Sequence, residues 1–155
     1  RLHAVTDWVQ ANLTYDHSDT SLVASSLHAL NKKRGDCSDY HGLCSSLGRS
    51  LGVPTRVTYG LHLFPKNLPS HCKLEAYLPP YGWVSFDVSE TQRLVKRIAD
   101  DTALSADEKA RLTVAAGERF RRGFRDHTWL LMTKGTDYDL APKASAKVPL
   151  VATIY

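Results

Sequence analysis

The stretch Gly35-Asp36-Cys37-Ser38-Asp39-Tyr40-His41 decides how this chain is read. Just beyond it, Tyr40, Leu43, Cys44, Leu47 and Leu51 recur at spacings of three and four, so one helical face is apolar over residues 40–51. Gly35 closes whatever precedes it, Asp36 suits an N-cap, and Cys37 becomes the first helical residue. Unbonded backbone N–H groups and the positive end of the helix dipole favour a thiolate there, and the thiolate is the reactive form of cysteine. A second reading stays open at this point, in which Cys37 is a small buried apolar residue.

Working outward, Leu2, Val5, Trp8, Val9 and Leu13 predict a helix over 2–13, and Leu22, Val23, Leu27 and Leu30 a helix over 21–33. Tyr15 to Asp19 forms the polar loop between them. The cysteine helix runs over 37–51 and stops at Gly52, with Pro54 just beyond. Strands are predicted over 55–59, 71–78 and 83–88, the last two joined by the turn Pro79-Pro80-Tyr81-Gly82. A short helix follows over 90–99, and Ser105-Ala106-Asp107-Glu108 is a capping box opening a helix to about residue 122. Strands return over 128–133 and 148–155. Helices followed by hairpins argue for an α+β fold with an antiparallel sheet, in one domain over 1–155 whose core is 34–88 and which 89–155 completes.

The composition is that of an ordinary globular chain: 155 residues, 43% hydrophobic and 23% charged. The net charge of +4 is scattered. Its densest clusters, Lys32-Lys33-Arg34 and Arg119 to Arg125, read as solvated helix ends or faces, so no nucleic-acid partner is expected. No apolar run approaches a membrane span and no signal peptide is visible. A helical pattern at the first residues without an initiator Met predicts an excised domain or mature fragment, which leaves the compartment open. Three cysteines make no disulfide framework. Cys37, His41, His71 and Cys72 lack the spacing of common zinc sites, so neither metal nor cofactor is expected.

A thiolate nucleophile wants a histidine in hydrogen-bond reach, and that histidine wants an orienting carboxylate or amide. Among seven histidines, His71 alone begins a clear strand. Asp87 lies between the apolar Phe86 and Val88, where a carboxylate is costly without a partner. If Leu78 paired with Trp83, Asp87 would face Leu74 on the opposite face from His71. The two share a face only if the loop around Pro80 has an odd number of residues or the hairpin carries a bulge.

Gly35 to Tyr40, then Leu51-Gly52-Val53-Pro54-Thr55-Arg56-Val57 and Gly60, then His71 with Glu75, then Gly82-Trp83-Val84 and Asp87-Val88, resemble the core of the transglutaminase-like superfamily in its bacterial form. Gly135 to Pro142 is also similar to a tail segment of bacterial members. The resemblance implies a papain-like Cys-His-Asp arrangement, with Cys37 as nucleophile, His71 as general base and acid, and Asp87 holding the imidazole. It implies an oxyanion hole from the Cys37 N–H and an upstream side chain, for which Tyr15 is the candidate; its other reading is packing.

Where members commonly carry His-Ala-Trp, this chain has His71-Cys72-Lys73. Alternation places Lys73 on the face of His71, as a cleft-lining cation or, the preferred reading, pointing to solvent. Cys72 is expected to face away and pack. Trp83 is expected to pack against the catalytic layer, lining the cleft. Glu75 is a partner for Arg56, and Asp137 and Tyr138 are candidates to border the cleft. His41, His3, His17, His28, His62 and His127 read as surface or satisfied histidines. The expected activity is thiol acyl transfer on amide bonds of a peptide or protein substrate, with hydrolysis preferred. The alternatives are a protein-glutamine transglutaminase and an inactive binding module.

Overall fold

Helix α3 (Cys37–Ser50) begins as expected, because Asp36 caps it: Asp36 Oδ1 accepts from the N–H of Ser38 at 2.8 Å and of Asp39 at 3.3 Å. The computed structural model describes residues 1–21, 24–63, 70–123, 129–135, 139 and 141–143. The strand expected over 148–155 lies outside them, as do Asp137, Tyr138 and His127.

Around α3 the chain runs α1 (Leu2–Asn12), β1 (Thr14–Tyr15), α2 (Ser26–Lys32), β2 (Arg34–Gly35), then β3 (Thr55–His62), β4 (Ser70–Leu78), β5 (Gly82–Phe86), α4 (Val88–Asp100), α5 (Ala106–Arg122) and β6 (Trp129–Lys134). Strands β5-β4-β3-β6 form an antiparallel sheet in that order, and β1 and β2 make a short parallel pair. Helices before and beside an antiparallel sheet make the fold α+β. Among the described residues no helix is long and apolar enough to cross a membrane.

The core lies where α1 and α3 meet the sheet. Val5, Val9, Tyr40, Leu43 and Cys44 pack there on Leu74, Ala76 and Phe86. Each fully buried Val, Leu or Phe contributes about 1.5–3 kcal/mol. A polar knot ties the helices over this core. Gln92 of α4 donates to the carbonyls of Gln10 (2.6 Å) and Leu13 (2.8 Å) and accepts from the Tyr40 hydroxyl (2.8 Å).

Three boundaries differ from expectation, each for a local reason. Helix α2 starts at Ser26 because Ser25 caps it, accepting from the His28 N–H at 3.2 Å. Leu27, expected on its buried face, is 69% exposed, and Ala29 is the residue buried. Strand β3 continues past Gly60 to His62, because β6 pairs with its second half across a register shift at Tyr59/Gly60. Strand β5 stops at Phe86, since Asp87 is the N-cap of α4 rather than a strand residue. The capping box of α5 forms as expected: Ser105 Oγ accepts from the Glu108 N–H at 3.3 Å, and Glu108 Oε2 accepts from the Ser105 N–H at 2.9 Å.

Candidate active site

The β4–β5 hairpin turns through three residues, Pro79 to Tyr81, with Leu78 opposite Gly82 and Leu74 opposite Phe86. An odd loop is what places His71 and Asp87 on one side. His71 Nε2 and Asp87 Oδ2 are 2.8 Å apart and both groups are buried. With Nε2 engaged by the carboxylate, Nδ1 is left for the sulfur of Cys37, to which the imidazole is hydrogen-bonded.

Asp87 has a second task. Its Oδ1 accepts from the Glu90 N–H at 3.1 Å, capping α4, so one carboxylate joins the sheet, the imidazole and a helix end. Burial alone would raise its pKa. The positive His71 beside it, their hydrogen bond and, further out, Lys73 outweigh that and hold the carboxyl below its usual range. Burial likewise disfavours the imidazolium, but the Asp87 charge and hydrogen bond, with those of Cys37, raise His71 to about 10.

Cys37 is pulled down to about 5 by a hydrogen bond from Cys72, against the opposing effect of burial, and by the hydrogen bond and charge of His71. Between those two values sulfur and imidazole form a thiolate–imidazolium pair, which titrates as a unit. The remaining thiols are inert by comparison, because burial raises Cys44 and Cys72 far above the ordinary range.

Gly35 lets the chain enter α3. A Cβ there would meet the Asp39 carboxylate and come within 2.6 Å of its Cβ. Asp39 is buried and accepts from the N–H and hydroxyl of Ser21, pinning the first turn of α3 to the preceding loop. Tyr15 is not in a loop but in β1, opposite Gly35, and its ring packs on the cluster of Cys37, Val57, Tyr59 and Cys72. Burial, then the charge of Cys37, pushes its phenol well above the usual range, so it stays a neutral donor. Its hydroxyl lies 3.1 Å from His17 Nε2.

Three sequence readings need correction. Lys73 does not point to solvent: it is 2% exposed, with Nζ 3.9 Å from Asp87 Oδ2 and 4.8 Å above the Trp129 ring. Trp129 arrives from β6, and that cover was not visible from β4 alone. Cys72 does not face away, because α3 packs on the Cys72-Leu74-Ala76 side of β4 and brings Cys37 to it. Trp83 does not join the catalytic layer. It is 42% exposed at the far end of the hairpin, stacked on Arg56 (3.9 Å) and edge-on to Tyr77. His41 is a satisfied histidine, one of the two readings offered for it, and it is wholly buried. The Arg56–Glu75 pair forms as read, at 2.7 Å.

Two residues near His71 were given no place in the site by the sequence reading. His62 stacks on the His71 ring at 4.8 Å, and Trp129 meets it edge-on at 5.8 Å. Gly60 makes room for the tryptophan, since a Cβ there would strike the Leu130 carbonyl and sit 2.8 Å from Trp129 Cζ2. The pairing of Gly60 with both His71 and Leu131 depends on a strand distant in sequence, and only the glycine itself was a signal. The aromatic wall absent from His71-Cys72-Lys73 is thus supplied from another strand.

The chain is 24% identical over 132 residues to an uncharacterized protein of Haemophilus influenzae, covering 71% of this chain and 34% of that protein. It is 31% identical over 93 residues to an uncharacterized protein of Mycobacterium leprae, covering 54% and 32%. It spans about a third of the length of these curated relatives. Among solved structures it is similar to "a Putative Cysteine Protease from Cytophaga hutchinsonii", with a TM-score of 0.51 and 28% identity over 57% of this chain and 30% of that one. That solved structure, together with the family match, supports an enzyme of the cysteine type. The family model of the transglutaminase-like superfamily matches residues 1–88, which hold the capped cysteine, the histidine strand and the capping aspartate, and the chain belongs to that superfamily.

Proposed function

We propose that this chain is a thiol acyl-transfer enzyme acting on amide bonds of peptides or proteins, with Cys37 as nucleophile, His71 as acid and base, and Asp87 as the group that holds the imidazole. The observation that carries the reading is the unbroken polar chain from the Cys37 sulfur through His71 to Asp87, with the sulfur at the capped start of α3.

In the resting site the proton of the thiol is on His71. The Cys37 thiolate attacks the amide carbonyl, forming a C–S bond and an oxyanion. The Cys37 N–H faces that oxygen, with the Tyr15 hydroxyl as second donor; one such donor is worth about 3–4 kcal/mol. His71 Nδ1–H then protonates the departing amine as the C–N bond breaks, leaving a thioester. Water, losing its proton to His71, attacks the thioester and frees the acid and the thiolate. Asp87 keeps Nδ1 turned toward the sulfur throughout and stabilises the imidazolium.

Hydrolysis is favoured over transfer to an amine because water needs no second binding site, and the Cytophaga hutchinsonii protein is described as "a Putative Cysteine Protease". Incubation with a peptide library, with and without a primary amine, tests this by mass spectrometry. Chain cleavage supports the peptidase reading, and ammonia release with amine coupling moves it to a transglutaminase. No turnover, with an unreactive Cys37, leaves an inactive binding module.

A further inference from the structure

His41 and Cys72 belong neither to the proposed triad nor to the main apolar cluster, yet they are buried against Cys37. His41 lies one turn along α3 from Cys37. Its Nε2 is 3.0 Å from the backbone N–H of Val88. A backbone N–H can only donate, so Nε2 is the acceptor and the ring proton sits on Nδ1. Nδ1 lies 3.4 Å from Cys72 Sγ and also bonds the Cys37 backbone, so its one hydrogen is shared between them and the sulfur of Cys72 accepts a hydrogen bond from His41. Burial pulls His41 down to about 4, and the ring stays neutral. A sulfur that accepts on one side has its own S–H left to give, and its neighbour is the Cys37 sulfur, with which it is hydrogen-bonded. Cys72 keeps its proton where Cys37 has lost its own, because burial raises it.

We propose that Cys72 is a positioning residue of the thiol site: oriented by His41 Nδ1–H, its S–H donates to the Cys37 sulfur and holds that sulfur, as a thiolate, in line with His71. The relay runs Val88 N–H, His41, Cys72, Cys37, opposite to the Asp87–His71 side. The sulfur is then held by two donors, one that moves its proton to the substrate and one that does not. This role rests on Cys37 being the nucleophile proposed above.

The ionisable groups around the pair come from several neighbouring elements, Tyr59 of β3 among them. Asp36, the cap of α3, opposes ionisation of Cys37, and His71 of β4 favours it. Tyr15 of β1 faces both sulfurs and carries Arg93 of α4 over its ring. Asp87, at the head of α4, acts on Cys72. All of these remain when Cys72 is replaced, so a change in Cys37 ionisation reports the S–H itself.

The test is the pH dependence of iodoacetamide alkylation, with the modified residue identified by peptide mass spectrometry, in the unaltered protein, Cys72→Ala and Cys72→Ser. The midpoint for Cys37 is expected to rise by about 1–2 pH units in Cys72→Ala, a charged hydrogen bond being lost. Cys72→Ser, which retains a donor, restores most of the low midpoint. A low midpoint unchanged in Cys72→Ala overturns the positioning role and leaves Cys37 as nucleophile. An ordinary midpoint near ~8.5 in the unaltered protein removes both. If Cys72→Ala does not fold, the infrared S–H stretch of the unaltered protein decides. A red-shifted band that relaxes when acid protonates Cys37 supports the role, and a band indifferent to pH overturns it.

Discussion

At the residue scale the site is governed by two ionisations pushed apart. Cys37 is held near 5 and His71 near 10, so the reactive ion pair occupies the span between them. Alkylation and turnover should rise with pH through about 5, stay level, and turnover should fall as His71 loses its proton near 10. A stopped-flow pH profile with Cys37→Ala as blank checks this. Tyr15 offers a second measurement. Tyr15→Phe keeps the ring on its cluster and removes only the hydroxyl, so kcat should fall by about 10²-fold while Tm holds. A fall in Tm without a fall in kcat would make Tyr15 a packing residue.

At the element scale Asp87 does two jobs, and two substitutions separate them. Asp87→Asn keeps a side-chain oxygen for the Glu90 N–H, so α4 stays capped while the imidazolium loses its counter-charge. Asp87→Ala loses both, with the cap alone costing about 0.5–2 kcal/mol. Both variants should be inactive, but only the second should show the larger drop in Tm. The linkage has opposite signs on the two partners. The Asp87 contribution is present above the unfolded carboxylate range and lost as pH falls through the lowered folded value; that of His71 is present below ~6.5 and lost as pH rises through about 10. Gly60 is the other hinge of the site. Gly60→Ala should cost about 1–3 kcal/mol and displace Trp129 from His71, read by Tm and tryptophan fluorescence.

The same two residues mark how far the sequence was legible. Apolar spacing and Asp36 located α3 and its cysteine, because those signals are local. Parity made a shared face for His71 and Asp87 conditional on an odd hairpin loop or a bulge, and the three-residue loop meets that condition. Asp87 was read as a strand residue because Phe86 and Val88 flank it, although Asp87-x-x-Glu90 carries the pattern of a helix start. The cover of Lys73 and the edge-on contact of Trp129 with His71 depend on β6, more than fifty residues downstream, and no local pattern carries that pairing. The position of Cys72 depends on which face of β4 receives α3.

At the scale of the whole molecule, Gln92 holds α1, α3 and α4 to one another through three hydrogen bonds. Gln92→Ala would leave the Leu13 carbonyl and Tyr40 hydroxyl without this partner, at about 1–3 kcal/mol for each group left unsatisfied in the interior. In a domain of this size each kcal/mol lowers Tm by about 2–4 °C, so calorimetry should resolve the loss. The residues of the proposed triad lie on α3, β4 and the head of α4, so a looser seam should also slow Cys37 alkylation.

The smallest ladder in the fold has an outsized reach. Thr14 N–H to Lys33 carbonyl and Asp16 N–H to Gly35 carbonyl, each 2.9 Å, clip the segment after the first helix alongside the backbone that leads into the sulfur. The opening residues therefore act as a tether for chemistry performed elsewhere. A polypeptide trimmed of its first sixteen residues would surrender the phenol and the clip that aligns it, along with the wall of the interior that α1 builds.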